Sequence, residues 1–153
     1  MTILNLTQHL ATQQQQAEGV KDMLPQHREQ LVKLLTFNEL PSEQQLFDRA
    51  TELVLLASKY ACEYVMIGGA PYLMSYLERA IAIDMGKSSV YAFSKRVSKE
   101  ITNEHGEVIK TNTFVHEGFV GLPESYIPPS KRGCIYCGSP ECVAYTMGES
   151  VCG

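Results

Sequence analysis

The sequence predicts an α/β domain of small Rossmann-like type, with a mostly parallel sheet and an antiparallel edge hairpin, followed by a short cysteine-rich C-terminal tail. Three observations carry that expectation. Short apolar runs at Thr2–Leu6, Glu63–Ile67 and Ser88–Phe93 are separated by segments with apolar residues at helical spacing, and strands separated by helices are best satisfied by a parallel sheet with right-handed crossovers. The middle run, EYVMI, is almost wholly apolar, which suits a strand covered on both faces. After Ser88, two alternating stretches flank NEHGE, the pattern of a returning antiparallel strand.

The elements follow in order. TILNL ends in the polar cluster Asn5, Thr7, Gln8 and His9, so it reads as a first strand stopping in a polar loop. ATQQQQAEG is a helix start or a solvated loop, with no function assigned to it. Pro25–Leu35 places Leu31, Leu34 and Leu35 at helical spacing behind a proline suited to a first turn. Ser42 is a candidate N-cap for a long helix in which Leu46, Ala50, Leu53, Leu56, Ala57 and Tyr60 recur at i, i+3, i+4. After EYVMI, Pro71 sits where N1 prolines sit; Leu73, Leu77, Ala80 and Ile81 form a stripe, and Gly86 is a stop. SSVYAF is the next strand, SKRVSKEI extends it, and Val108–Val120 returns beside it. The body spans residues 1–122. PESYIPPSKRG, residues 123–133, is a proline-rich linker, and residues 134–153 form the tail.

Composition narrows the function. With 153 residues, 44% hydrophobic, the chain can bury a core of its own. A net charge of -4 argues against coating duplex nucleic acid, which needs many phosphate contacts from Lys and Arg. MTILNLTQHL has no basic leader, and no apolar run reaches membrane-spanning length. The expectation is a soluble cytoplasmic protein with no membrane partner.

In an open α/β sheet, ligands bind beyond the carboxyl ends of the strands. Three such ends are expected: NLTQH, with Asn5, Thr7, Gln8 and His9; GGAPY, with Gly68, Gly69 and Ala70; and SKR, with Ser94 and Arg96 on one strand face. Gly68 and Gly69 allow close backbone approach, and the helix behind them would turn its free N–H groups and positive dipole end toward a phosphate or carboxylate. Alternatively, the glycines only make a tight turn. Neither GxGxxG nor a P-loop is present, which disfavours a dinucleotide or nucleoside triphosphate cofactor. Arg96 has the forked geometry that phosphate favours, or it is a solvated strand end. His9 is the candidate general base, or it hydrogen-bonds its own loop. His105 and His116 read as structural or exposed.

Cys134 and Cys137 form a C-x-x-C pair, and Cys142 and Cys152 would complete four sulfur ligands for a structural zinc, with His116 as a substitute fourth ligand. Otherwise these are four unligated thiols. Cys62 stands alone in the body.

ILNLTQHLAT, VMIGGAPYLMSYLERA and VYAFSKRVSKE resemble, in layout over residues 1–122, small Rossmann-like proteins of phages and defence loci. In particular they are similar to the compact ancillary ring nucleases related to the CARF domains of CRISPR systems. The resemblance implies a homodimer that binds a cyclic oligonucleotide across its strand ends and cleaves it, with Asn5 and His9 at the first strand end and Gly68 and Gly69 at the phosphate-facing turn. Cleavage in such proteins depends on holding a ribose 2′-hydroxyl in line with its phosphate, so few acid or base residues are needed. The cysteine tail has no counterpart in that pattern. Two functions are therefore expected. The first is binding of a small anionic nucleotide ligand, sequestered or slowly cleaved. The second is a zinc-containing protein-interaction module with the α/β body as scaffold.

Overall fold

Three consecutive residues, Ile3, Leu4 and Asn5, are fully buried and form β1 (Ile3–Asn5). A strand can be buried at every position only if both faces of its sheet are covered. The computed structural model describes residues 2–123 and two short paired strands, Tyr145–Thr146 and Glu149–Ser150. In the body, β1 is joined by β2 (Val20–Lys21), β3 (Tyr64–Met66), β4 (Ser88–Thr102) and β5 (Val108–Val120), in the spatial order β2-β1-β3-β4-β5. β1 pairs in parallel with β2 and β3, and β3 with β4. β4 and β5 pair antiparallel. The expected mostly parallel sheet with an antiparallel edge is present.

The helices bear out the start and stop signals in the sequence. Residues 11–19 resolve into a loop and helix α1 (Gln13–Ala17), opened by a reciprocal capping box between Thr12 and Gln15. Helix α2 (Pro25–Leu35) buries Leu31, Leu34 and Leu35. Helix α3 (Glu43–Ala57) is capped by Ser42 and Gln45 in a second reciprocal box. Helix α4 (Pro71–Ala80) buries Leu73, Met74 and Leu77, then loosens into a π-turn at Ile81–Met85, ended by Gly86 in the left-handed conformation at φ 63°. Removing the Ser42 hydroxyl orphans the Gln45 N–H. Ser42→Ala should therefore lower stability by about 1 kcal/mol, read as a shifted urea midpoint with an unchanged slope.

One sheet face carries the main core, where Leu4, Leu6, Val65 and Ile67 meet Leu31, Leu53, Leu73, Leu77 and Ile81 of the helices. The other face buries a smaller cluster of Ile3, Ala11, Val20, Met66 and Val90, with Phe119 and Leu122 against it.

β4 changes neighbours along its length. Ser88–Val90 pair with β3, and Tyr91–Thr102 pair with β5. Beyond the sheet, β4 and β5 continue as a two-stranded arm that turns at Asn103–Glu107, where the Asn103 N–H donates to the Glu107 carbonyl at 2.9 Å.

Candidate functional site

The first crossover runs from β1 out to β2, and the next passes back over β1 to β3. The connections therefore diverge at the carboxyl ends of β1 and β3, where an open α/β sheet leaves a crevice. A cleft of about 630 Å³ lies there. Thr7, Gln8 and His9 line it from the first strand end, and Gly68, Gly69 and Ala70 from the second. The topology brings together six of the residues that the sequence nominated.

Asn5 has a different part. Its side chain is fully buried, and its hydrogen-bonding capacity is filled by protein. Nδ2 donates to the His9 carbonyl at 2.7 Å and to Asp22 Oδ1 at 2.7 Å, while Oδ1 accepts from the Thr7 N–H at 3.0 Å and the Thr7 hydroxyl at 2.7 Å. An amide offers two donors and two acceptor sites, so none remains for a ligand. Asp22 also accepts from the Ala11 N–H at 3.1 Å. Arg28 Nη1 lies 3.7 Å from Asp22, and Arg28 Nη2 donates to the Gln8 carbonyl at 3.0 Å. Asn5, Asp22 and Arg28 thus clamp the loop that presents Thr7, Gln8 and His9.

Ser94 and Arg96 do not line the cleft. The parallel sheet ends where β4 leaves β3, so the cleft meets that strand at Tyr91 and Ala92; Ser94 and Arg96 stand further out on the arm, paired with His116 and Phe114. The physical reason is that β4 has no end here: it runs on past β3 as one strand of the arm, paired along its other edge with β5.

The opposite wall was not legible in the sequence. Thr36, Phe37 and Tyr72 line the cleft. Two helices make the crossover from β2 to β3, and α2 delivers its last turn to the cleft. Arg49 holds that turn by donating to the carbonyls of Lys33, Leu34 and Thr36 at 3.0, 2.8 and 2.9 Å, with its guanidinium 4.7 Å from the centre of the Phe37 ring. Phe37 and Tyr72 meet edge to face at 5.6 Å. The Gln8 amide donates to the Thr36 hydroxyl at 3.3 Å and ties the two walls together. A polar–aromatic string such as TFNEL signals only a helix exit when read alone.

The electrostatics of the cleft come from the backbone. Among the described residues, no Lys, Arg, Asp or Glu lines the cleft. Helix α4 starts at Pro71 behind Ala70, with no side chain capping it, whereas α1 and α3 both carry capping boxes. Gly69 adopts φ 138°, a conformation that L side chains rarely take, and it aims the turn into the cleft. The first N–H groups of a helix have no i−4 partner. Here Pro71 has none to offer and the Leu73 N–H donates to the Ala70 carbonyl at 3.0 Å, so the backbone that meets the cleft at this helix start is that of Gly68 to Ala70 and of Tyr72. Tyr91 donates its hydroxyl to Glu78 of α4 at 2.5 Å. Burial, then that hydrogen bond and the Glu78 charge, raise its pKa, so Tyr91 remains a neutral phenol rather than a base. His9 is exposed at the mouth with no carboxylate lining the cleft beside it.

Cys134, Cys137, Cys142 and Cys152 lie outside the described residues. Among the described residues no group of three His, Cys, Asp or Glu side chains could hold a metal. His116 is nearly buried at the base of the arm, with Nε2 3.1 Å from Glu18 and the ring edge-on to Phe119 at 5.0 Å. Burial raises the Cys62 pKa, with Lys87 opposing the shift, so its thiol is held in the unreactive neutral form. No helix among the described residues is long and apolar enough to cross a membrane.

Compared with known proteins, residues 1–120 match the model of a family described as the Uncharacterized protein MJ1673 family. No curated protein and no solved structure matches the chain.

Proposed function

Because the chain belongs to the Uncharacterized protein MJ1673 family, whose model spans β1 to β5 and every cleft-lining residue, we propose that this cleft binds a small phosphorylated nucleotide. The observation that carries the reading is the uncapped N-terminus of α4 behind Gly68 and Gly69, opening into a cleft with an aromatic wall. Backbone N–H groups and the helix dipole favour one compact anion at that point. Phe37 and Tyr72 supply apolar surface for a nucleobase, and the Gln8 amide with the Thr7 and Thr12 hydroxyls supplies neutral hydrogen-bonding groups for ribose or base edges. A volume near 630 Å³ falls within the range of small-molecule sites, roughly 300–1,000 Å³.

The lack of cationic side chains in the lining favours a single phosphate or phosphodiester over a triphosphate, whose charge calls for Lys, Arg or a metal. A cyclic oligonucleotide messenger meets that description, since it presents one charge per linkage. The protein acts by sequestration in the cytoplasm, where such ligands reside.

The test is thermal unfolding with inorganic phosphate, nucleosides, nucleoside monophosphates, cyclic mononucleotides and cyclic oligonucleotides, followed by chromatography of each mixture. A phosphorylated nucleotide at a hundredfold excess over its Kd should stabilise by about 2.7 kcal/mol, a midpoint rise of several degrees, while the matching nucleoside gives less. If no nucleotide moves the midpoint, the reading is wrong. Product in the chromatogram would replace sequestration by slow hydrolysis.

A further inference from the structure

We propose that the arm extends the cleft into a track for single-stranded nucleic acid. A terminal nucleotide of the strand sits in the cleft, and the nucleotides that follow lie on the face of β4 that carries Phe93, Lys95 and Lys99. The proposal rests on the reading of the cleft as a nucleotide site and adds that the nucleotide is the end of a chain. With no cationic side chain among its described lining residues, the cleft can hold one phosphate through backbone N–H groups but has nothing to offer a row of them. The cations on β4 stand further along, on the arm.

The arm starts where the cleft ends. β4 meets the cleft at Tyr91 and Ala92 and runs on without a break to Thr102. Side chains alternate along a strand, so Phe93, Lys95, Val97, Lys99 and Ile101 follow Tyr91 on one face. That face is the one toward α4, whose Glu78 accepts the Tyr91 hydroxyl. At a rise of about 3.3 Å per residue, Phe93 stands roughly 7 Å and Lys99 roughly 26 Å beyond Tyr91.

The chemistry of this face selects the occupant. Phe93 is 55% exposed, and its partner across the ladder is Gly118, which has no side chain to cover the ring. An open aromatic surface therefore stands where a strand would leave the cleft. Lys95 and Lys99 follow, both exposed. From Lys95 to Ile101 the residues opposite are Val115, Thr113, Thr111 and Ile109, while Glu100 falls on the other face against Lys110. That stretch thus presents cations and no carboxylate. A stacking ring followed by cations along the backbone path is how single strands are held without sequence readout. Two cations are too few to coat a duplex, which needs many phosphate contacts. An anionic lipid surface or an acidic peptide would meet the same lysines, but neither would fill the nucleotide site from which this face begins.

The test is calorimetric titration of the full chain, under reducing conditions, with hexanucleotides of ribose and of deoxyribose carrying a terminal phosphate, each beside the matching nucleoside monophosphate. At low salt a hexanucleotide should bind at least about tenfold more tightly than the monophosphate, and the sugar that gains more identifies RNA or DNA as the source. Lys95→Gln combined with Lys99→Gln should remove that gain and reduce the slope of log affinity against log salt by about 1.4, roughly 0.7 for each phosphate contact with a single strand. Phe93→Ser should cost the hexanucleotide about tenfold. Both variants alter exposed side chains, so the circular dichroism spectrum and monophosphate binding should not change. A monophosphate that binds as well as the hexanucleotide would overturn the proposal and leave the reading of the cleft standing; if neither binds, both fall. A hexanucleotide gain that survives both variants would place the strand elsewhere. Phosphatidylserine vesicles or polyglutamate bound through Lys95 and Lys99, with no hexanucleotide gain, would give the face to another partner. Either result overturns the proposal.

Discussion

Asn5→Ala should cost about 3 kcal/mol of stability and loosen the loop that forms one wall of the cleft. The side chain makes four hydrogen bonds in a site closed to water, one of them to the Asp22 carboxylate. A neutral hydrogen bond contributes roughly 0.5–1.5 kcal/mol net and one to a charged group roughly 1.5–3. Truncation also takes the acceptor from the Thr7 N–H, which is the costlier part of the loss, while the His9 carbonyl keeps the Thr7 hydroxyl at 3.2 Å. Asp22 retains the Ala11 N–H and Arg28, so the fold survives while the 5–9 loop loses its register. Asn5→Asp should be worse at neutral pH, because it keeps the shape but sets a second carboxylate against Asp22. Its deficit relative to Asn5→Ala should shrink in acid, where a proton can be shared between the two. Urea unfolding at neutral and acidic pH measures both, and a loss below about 1 kcal/mol for Asn5→Ala would show that water replaces the amide.

That result bears on what the sequence could reveal. Asn5 was legible as a polar residue ending a strand, and its position at the cleft follows from topology. Its role was not, because its partner Asp22 is 17 residues away and pairing through space leaves no local trace. Local signals were read well where one residue decides a backbone state: Pro25 and Pro71 open helices, Ser42 caps one, and Gly86 ends one with positive φ. β2, with two residues, is too short for any periodicity. The limit is clearest in β4. An alternating strand looks the same whether its neighbour is β3 or β5, so nothing in SSVYAFSKR marks Tyr91 and Ala92 as the point where the sheet edge is crossed. Hence Ser94 and Arg96 were expected at the cleft and stand on the arm. The aromatic wall was hidden for a related reason: Phe37 and Tyr72 belong to different crossovers, and only the packing of both α2 and α4 against α3, with Arg49 of α3 holding the end of α2, brings them together.

Gly69→Ala should cut nucleotide stabilisation far more than Gly68→Ala does, and the contrast between them tests the backbone site directly. At Gly69 a Cβ would have room, since the nearest atom is Met74 Cε at 3.9 Å, but the backbone sits at φ 138°. Alanine there must hold a strained conformation, at a cost of about 1–3 kcal/mol, or relax it and swing the N–H groups before α4 away from the cleft. Either way the preorganisation that lets uncharged donors hold an anion is lost. At Gly68 the backbone needs no positive φ, and a Cβ would meet Thr7 Cγ2 at 3.7 Å, an ordinary contact. Gly68→Ala should therefore unfold close to the wild-type temperature and lose affinity only through the methyl group on the cleft wall. Calorimetric titration of the strongest nucleotide found in the panel should give at least a tenfold loss for Gly69→Ala, about 1.4 kcal/mol, and a smaller one for Gly68→Ala. Equal affinities in the two variants and the wild type would mean that the nucleotide binds somewhere other than this turn. A loss confined to Gly68→Ala would mean that contact with the cleft wall, rather than the conformation of Gly69, governs recognition.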